Sequence, residues 1–211
     1  MPQTPTEWLG RTQVNSLSTG FQGHQETIGL SNGNILVVFS DDSDTVPGLS
    51  RDIVGVIYDA EGNVVRAEFQ ANTAFFFDGE EWPSIAATND GGFIMVYEDS
   101  DASGTSIRAE RYNDQGESID AAVILEDPGA VLLSNPQVAV NLDDNSFFVT
   151  YEHDDGGDET IRGRLFDSNM DAVSAEQILR SDEDPTNTQL DGDPLRQDTV
   201  ALAGGGFVTV F

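Results

Sequence analysis

Apolar and polar positions along the chain fall into short runs that recur. Residues 25–39 (QETIGLSNGNILVVF), 83–97 (PSIAATNDGGFIMVY), 137–151 (QVAVNLDDNSFFVTY) and 197–211 (QDTVALAGGGFVTVF) align in one register. Each reads as a short strand, a turn and a longer strand; in the first these are 27–30, 31–34 and 35–39. The turns are written in Gly, Asn and Asp, which supply the positive φ that hairpin corners need. In the longer strand both faces are apolar, Ile35, Val37 and Phe39 against Leu36 and Val38. A strand apolar on both faces is buried on both faces. A second element follows three times (IVGVIYDAEG, IRAERYNDQG, IRGRLFDSNM), closing on Asp59, Asn113 or Asp167, where an Asx side chain can cap a turn. A third follows that (NVVRAEFQAN, SIDAAVILED, AVSAEQILRS). Residues 172–179 allow a weak helical reading, but their equivalents predict a strand.

The closing aromatics Phe39, Tyr97, Tyr151 and Phe211 lie 58, 54 and 60 residues apart, a repeat of about 57 residues. Each unit holds four strands, which predicts an all-β, β-propeller-like array of four-stranded antiparallel blades, about 3.5 repeats in all. A β-sandwich of paired units is the alternative. The chain divides as one all-β repeat domain: a partial unit 8–24, units 25–82, 83–136 and 137–196, and a partial unit 197–211. Three and a half blades do not close a ring. The expectation is either further repeats of a longer chain or a homo-oligomer, a dimer completing a ring of about seven blades, with self-closure onto Val14 a third possibility.

Charge narrows the function. The chain carries 38 acidic against 9 basic residues, all arginine, for a net charge of −29, and it has no cysteine. A polyanion would be repelled, so no nucleic-acid partner is expected. Disulfides, thiolate metal sites and a cysteine nucleophile are excluded. No run approaches the eighteen apolar residues of a membrane span, and the N-terminus has no basic and apolar stretch of the secretory signal type. The hydrophobic fraction of 38% is that of a chain that folds.

The acids gather in loops. The loop after the closing aromatic is acidic three times, with Asp41, Asp42 and Asp44, then Asp99 and Asp101 beside Glu98, then Asp154, Asp155 and Asp158 beside Glu152 and Glu159. Oxygen-rich loops suit calcium, and these eight aspartates are the metal candidates. The competing reading is a solvated, salt-adapted surface, which the absence of lysine favours. Catalytic signals are few. No Gly-x-Ser-x-Gly elbow or phosphate loop occurs. His24 reads as a surface residue before the first strand, equivalent to Trp82, Pro136 and Arg196, and His153 as a salt-bridge partner in an acidic loop, with metal ligation the alternative. An aromatic, acidic stretch (FFFDGEEW, residues 75–82) offers a carbohydrate platform through Phe76, Asp78, Glu81 and Trp82, against a plainer reading in which its phenylalanines pack between blades.

The second and third units resemble repeats of very long secreted calcium-binding proteins of haemolysin or adhesin type from marine bacteria. That pattern is met by Pro83, Ile85, Ala86, Asp90, Gly91, Gly92, Phe93, Val96, Tyr97, Ile107, Arg111, Tyr112 and Gly116; the third unit departs at Asn145, Ser146 and Met170, where glycine is expected. The resemblance implies an extracellular or cell-surface location, a propeller-like fold and a non-catalytic role in adhesion or scaffolding with self-association. The alternative is a glycan-binding or glycan-processing propeller enzyme. Carboxylates of different units converging on a pocket at the ring centre, lined by Asp and Arg, would favour the enzyme; acidic loops scattered around the outer rim would favour the module.

Overall fold

A computed structural model describes residues 13–16, 19–43, 51–73, 79–101, 104–126, 132–154, 156, 159–181 and 197–211. Three four-stranded antiparallel sheets and a two-stranded hairpin follow one another, each a simple meander in chain order. The first blade contains β1 (Gln22–Gly29), β2 (Ile35–Asp41), β3 (Asp52–Tyr58) and β4 (Val64–Gln70). The second contains β5 (Glu80–Ala87), β6 (Phe93–Asp101), β7 (Gly104–Tyr112) and β8 (Val123–Glu126). The third contains β9 (Leu132–Val140), β10 (Phe147–Asp154), β11 (Glu159–Phe166) and β12 (Gln177–Ser181), and β13 (Asp198–Ala201) pairs with β14 (Phe207–Val210). The weak helical reading of 172–179 gives way to a bridge at Ala172 and to β12.

The first strands β1, β5, β9 and β13 are neighbours in turn, so they form the inner ring and the blades fan outward from it. This is the propeller-like arrangement. The second strand of the middle blade, β6, is buried on both faces over Phe93–Tyr97 because its two faces serve different interfaces, whereas Ile35 and Val37 of β2 and Phe148 of β10 are only half-buried. Phe93, Met95 and Tyr97 join Leu36, Val38 and Ile57 between the first and second blades. Ile94 and Val96 join Val138, Phe147, Val149 and Tyr151 between the second and third. Phe93 stacks on Tyr112 at 4.7 Å and Phe147 on Phe166 at 5.3 Å, filling the same place in successive blades. Adjacent inner strands are also tied by hydrogen bonds: the Ile85 amide donates to the Glu26 carboxylate at 3.3 Å, and the Val138 amide to Ser84 Oγ at 3.2 Å.

The turn after the third strand is an Asx turn in all three blades. The Oδ1 of Asp59, Asn113 and Asp167 accepts from the amides two and four residues on, at 2.7–3.0 Å. Its left-handed position is Gly62, Gly116 and Met170, with φ of 83°, 77° and 68°. The third blade thus holds a side chain where the others have glycine, and Met170 offsets the strain by burial in the core beside Phe166.

Candidate functional site

The inner strands begin earlier than the hydrophobic pattern predicts, at Gln22, Glu80 and Leu132, within residues assigned above to the preceding units. They do so by passing through a bulge. The pairing steps from Gly23 to Glu26, from Glu81 to Ser84 and from Ser134 to Gln137 while the partner strand advances two residues. Two inner-strand residues therefore oppose one closing aromatic: His24 and Gln25 opposite Phe39, Trp82 and Pro83 opposite Tyr97, Asn135 and Pro136 opposite Tyr151. The bulge explains the prolines, which would break a ladder elsewhere in the strand.

In all three bulges the first residue is left-handed and is not glycine: His24, Trp82 and Asn135 have φ of 51°, 52° and 54°. Such conformations cost on the order of 1–2 kcal/mol for an ordinary residue. A strained position repeated in three blades is a candidate site. Asn135, not Pro136, is the equivalent of His24. The third blade's first turn (141–146) is one residue longer than those of the first two blades, with Asn145 left-handed, which shifts the strand before it.

These residues form an arc at the end of the sheets where the inner strands start. The His24 ring stacks on Trp82 at 3.6 Å and 18°, with Phe21 tilted against it at 5.3 Å. His24 Nδ1 lies 3.8 Å from Glu81, which also pairs with Arg51, whose guanidinium covers Phe21 at 4.6 Å. Burial lowers the His24 pKa, with Arg51 acting the same way and Glu81 opposing. The sequence places His24 at the surface; the structure half-buries it in an aromatic stack.

Further along, Asn135 joins three blades. Its amide donates to Glu98 of the second blade at 2.6 Å, its Nδ2 donates to Glu152 of its own blade at 3.1 Å, and its carbonyl accepts from Gln197 Nε2 at 2.7 Å. Ser134 Oγ donates to the other Glu152 oxygen at 3.0 Å. Glu98 is only 8% exposed. Burial pushes its carboxyl up to about 8, the charges of Glu81 and Glu152 add to the rise, and the Asn135 amide opposes it. Glu98 and Glu152 also line one cavity of ≈ 260 Å³ together with His153. Carboxylates of two units thus converge on one pocket.

The other expected site residues are placed differently. Glu81 and Trp82 belong to the arc; Phe76 and Asp78 lie outside the described residues, as do Asp44, Asp155 and Asp158. Asp41 accepts from the Ser43 amide at 2.7 Å and from Gln22 at 3.3 Å; Asp42 accepts from the Phe21 amide. Asp99 pairs with Arg108, Asp154 caps the Gly156 amide at 2.7 Å, and Asp101 closes β6 opposite Gly104. Among the described residues no three ligating side chains gather as a metal site. His153 makes no ion pair among them: it is buried, with Nδ1 lacking a hydrogen-bond partner. Glu98 and Glu152 were legible only as members of acidic runs. Nothing in the sequence marks that Asp41, Glu98, Asp99, Asp101, Glu152 and Asp154, expected in loops, lie inside strands that run on past the aromatic, and Glu159 inside the strand that follows.

No protein-family model matches the chain, and none of the curated proteins compared with it is similar. Solved structures do match. An α-L-arabinanase of Penicillium chrysogenum in complex with arabinobiose superposes with a TM-score of 0.60 at 18% identity, over 88% of this chain and 57% of its own. An α-L-arabinofuranosidase of Fusarium graminearum with an iminosugar inhibitor gives 0.47 at 15%, over 68% of this chain and 45% of its own. The chain thus spans a little over half of the arabinanase, and the likeness establishes the propeller-like fold. It also corrects the functional expectation. The solved structure that shares the fold is an arabinanase, which counts against the expected non-catalytic adhesion or scaffolding module; carboxylates of two units share one pocket, with no arginine in its lining.

Proposed function

We propose that the chain is part of a glycan-processing propeller whose substrate binds at the inner-strand mouth. The observation that carries this is Glu98, a carboxyl held protonated near neutral pH between Glu81 and Glu152 and beside the Trp82–His24 stack. Glycoside cleavage uses two carboxyl groups in opposite protonation states, one donating a proton to the leaving oxygen and one acting as base or nucleophile. Glu98 suits the donor. Glu152, held by Ser134 and Asn135, suits the ionised partner. Trp82 offers a face on which a sugar ring can stack, and its left-handed bulge position fixes that ring against His24. The arabinanase likeness supports a glycan substrate and leaves its identity open to assay.

The test is hydrolysis of a panel of aryl glycosides and arabino-oligosaccharides. Glu98→Gln keeps the shape and removes the proton; kcat is expected to fall by about 10²–10⁴-fold, the usual share of general acid catalysis. Unchanged turnover in that variant, or no hydrolysis by the parent on any glycoside of the panel, contradicts the proposal.

A further inference from the structure

Alternate residues of the β13–β14 hairpin face two ways. On one side Phe207 stacks on Phe148 of the third blade at 5.4 Å, and the Thr199 and Thr150 hydroxyls lie 3.0 Å apart. That face continues the series of blade interfaces. On the other side Val200, Val208 and Val210 are exposed. The pairing register shows what such positions pack against. Val208 lies opposite Val200 as Leu36 lies opposite Ile28, and Val210 opposite Asp198 as Val38 lies opposite Glu26. Leu36 and Val38 are fully buried in one core with Phe93, Met95 and Tyr97 of the following blade, whereas Val208 and Val210 are 40% and 61% exposed. Ile94 and Val96 are buried in the same way with Phe147, Val149 and Tyr151.

In the first blade the covering positions are Ile35, Val37 and Phe39, and a slot lies over the last two. Residues 13–16 run beside this blade, the Ser16 amide donating to Glu68 at 2.6 Å and Asn15 Nδ2 to Gln22 at 3.4 Å. Between them and the blade is a cavity of ≈ 280 Å³ whose lining includes Val14, Asn15, Gln22, Gln25, Val37 and Phe39, with no charged residue. Residues 199–211 carry no charge either, in a chain with 38 acidic side chains and a net charge of −29. Two copies repel each other over most of their surface, but these two surfaces can meet without bringing carboxylates together. Depletion of charge around apolar side chains is also the composition of an interface core.

We infer that the hairpin of one copy docks on the first blade of a second copy, with Val208 and Val210 directed at the slot beside Val37 and Phe39. The contact repeats the packing between successive blades, so it joins two different surfaces and leaves one of each kind free on the pair. It does not depend on the glycan reading.

Sedimentation velocity of the full chain up to about 0.1 mM, in 0.1 M and 1 M NaCl, tests it. Concentration-dependent association is expected, stronger at the higher salt because screening weakens the repulsion between the acidic surfaces. Val210→Glu alters the hairpin and Gln25→Glu the slot, both at exposed positions. Each should weaken association about 100-fold, the effect of an unpaired charge in a buried contact. An equal mixture of the two variants should recover a dimer, because the unaltered slot of the first accepts the unaltered hairpin of the second; recovery also shows that both are folded. A parent that stays monomeric at both salt concentrations overturns the inference. So does association that Gln25→Glu leaves unchanged, which would mean hairpin against hairpin, and so does a mixture that stays monomeric.

Discussion

Glu98 shows how one residue acquires a role from its neighbours. Its equivalent in the first blade is Ser40, which faces the ladder at the same register and carries no charge. In the second blade a carboxyl at that position meets burial, two other carboxylates and one backbone donor. The sign of the consequence for stability is definite. The folded state keeps the proton that the unfolded chain releases above about 4.5, so stability falls as pH rises from there to about 8 and is then level. Glu98→Gln, which can still accept from Asn135, should match the parent at pH 4. At pH 8 it should exceed the parent by on the order of 3 kcal/mol. Urea melts at the two pH values check this; a variant less stable than the parent at pH 8 would contradict it.

At the scale of the element, the strand and turn order of the blades was legible because each signal is local. Apolar faces on 35–39, 93–97 and 147–151, Gly-rich corners and the Asx turns at Asp59, Asn113 and Asp167 all reflect short-range chemistry. The bulges were not legible, since His24, Trp82 and Asn135 share no side-chain type and only the φ angle unites them. The longer turn of the third blade hid the correspondence further by moving the inner strand one residue against the aromatic marker. The carboxylate convergence was illegible for a related reason: it depends on which acids stay in the strand and which face a neighbouring blade. The turns themselves carry a testable asymmetry. A Cβ at Gly92 would lie 1.9 Å from the Tyr112 carbonyl oxygen, a backbone atom that cannot move aside. The equivalent Gly206 has open space and only its φ of 89° to oppose a side chain. Gly92→Ala should therefore cost about 3 kcal/mol or more and Gly206→Ala about 1. Thermal melts of the two variants would refute this if their order were reversed.

For the whole molecule, two opposing quantities matter. Continuous apolar interfaces between successive blades hold the fan together. A net charge of −29 on 211 residues pushes it apart, because a compact state concentrates like charge. Salt shortens the Debye length from about 10 Å at 0.1 M to 3 Å at 1 M. Raising NaCl over that range is expected to lift Tm by on the order of 5 °C, and a flat or falling Tm in calorimetry would show that the acids are already compensated. The same field bears on the mouth, where the summed negative potential opposes ionisation of a buried carboxyl. The central claim, that neighbouring blades together hold Glu98 in its protonated form, is tested most directly by carbon-13 carboxyl NMR of the glutamate-labelled chain, with Glu98→Gln to assign the signal. A Glu98 carboxyl still half protonated at about 8 is the expected result; a midpoint near 4.5, like that of a solvated glutamate, would contradict it and leave the mouth without its acid.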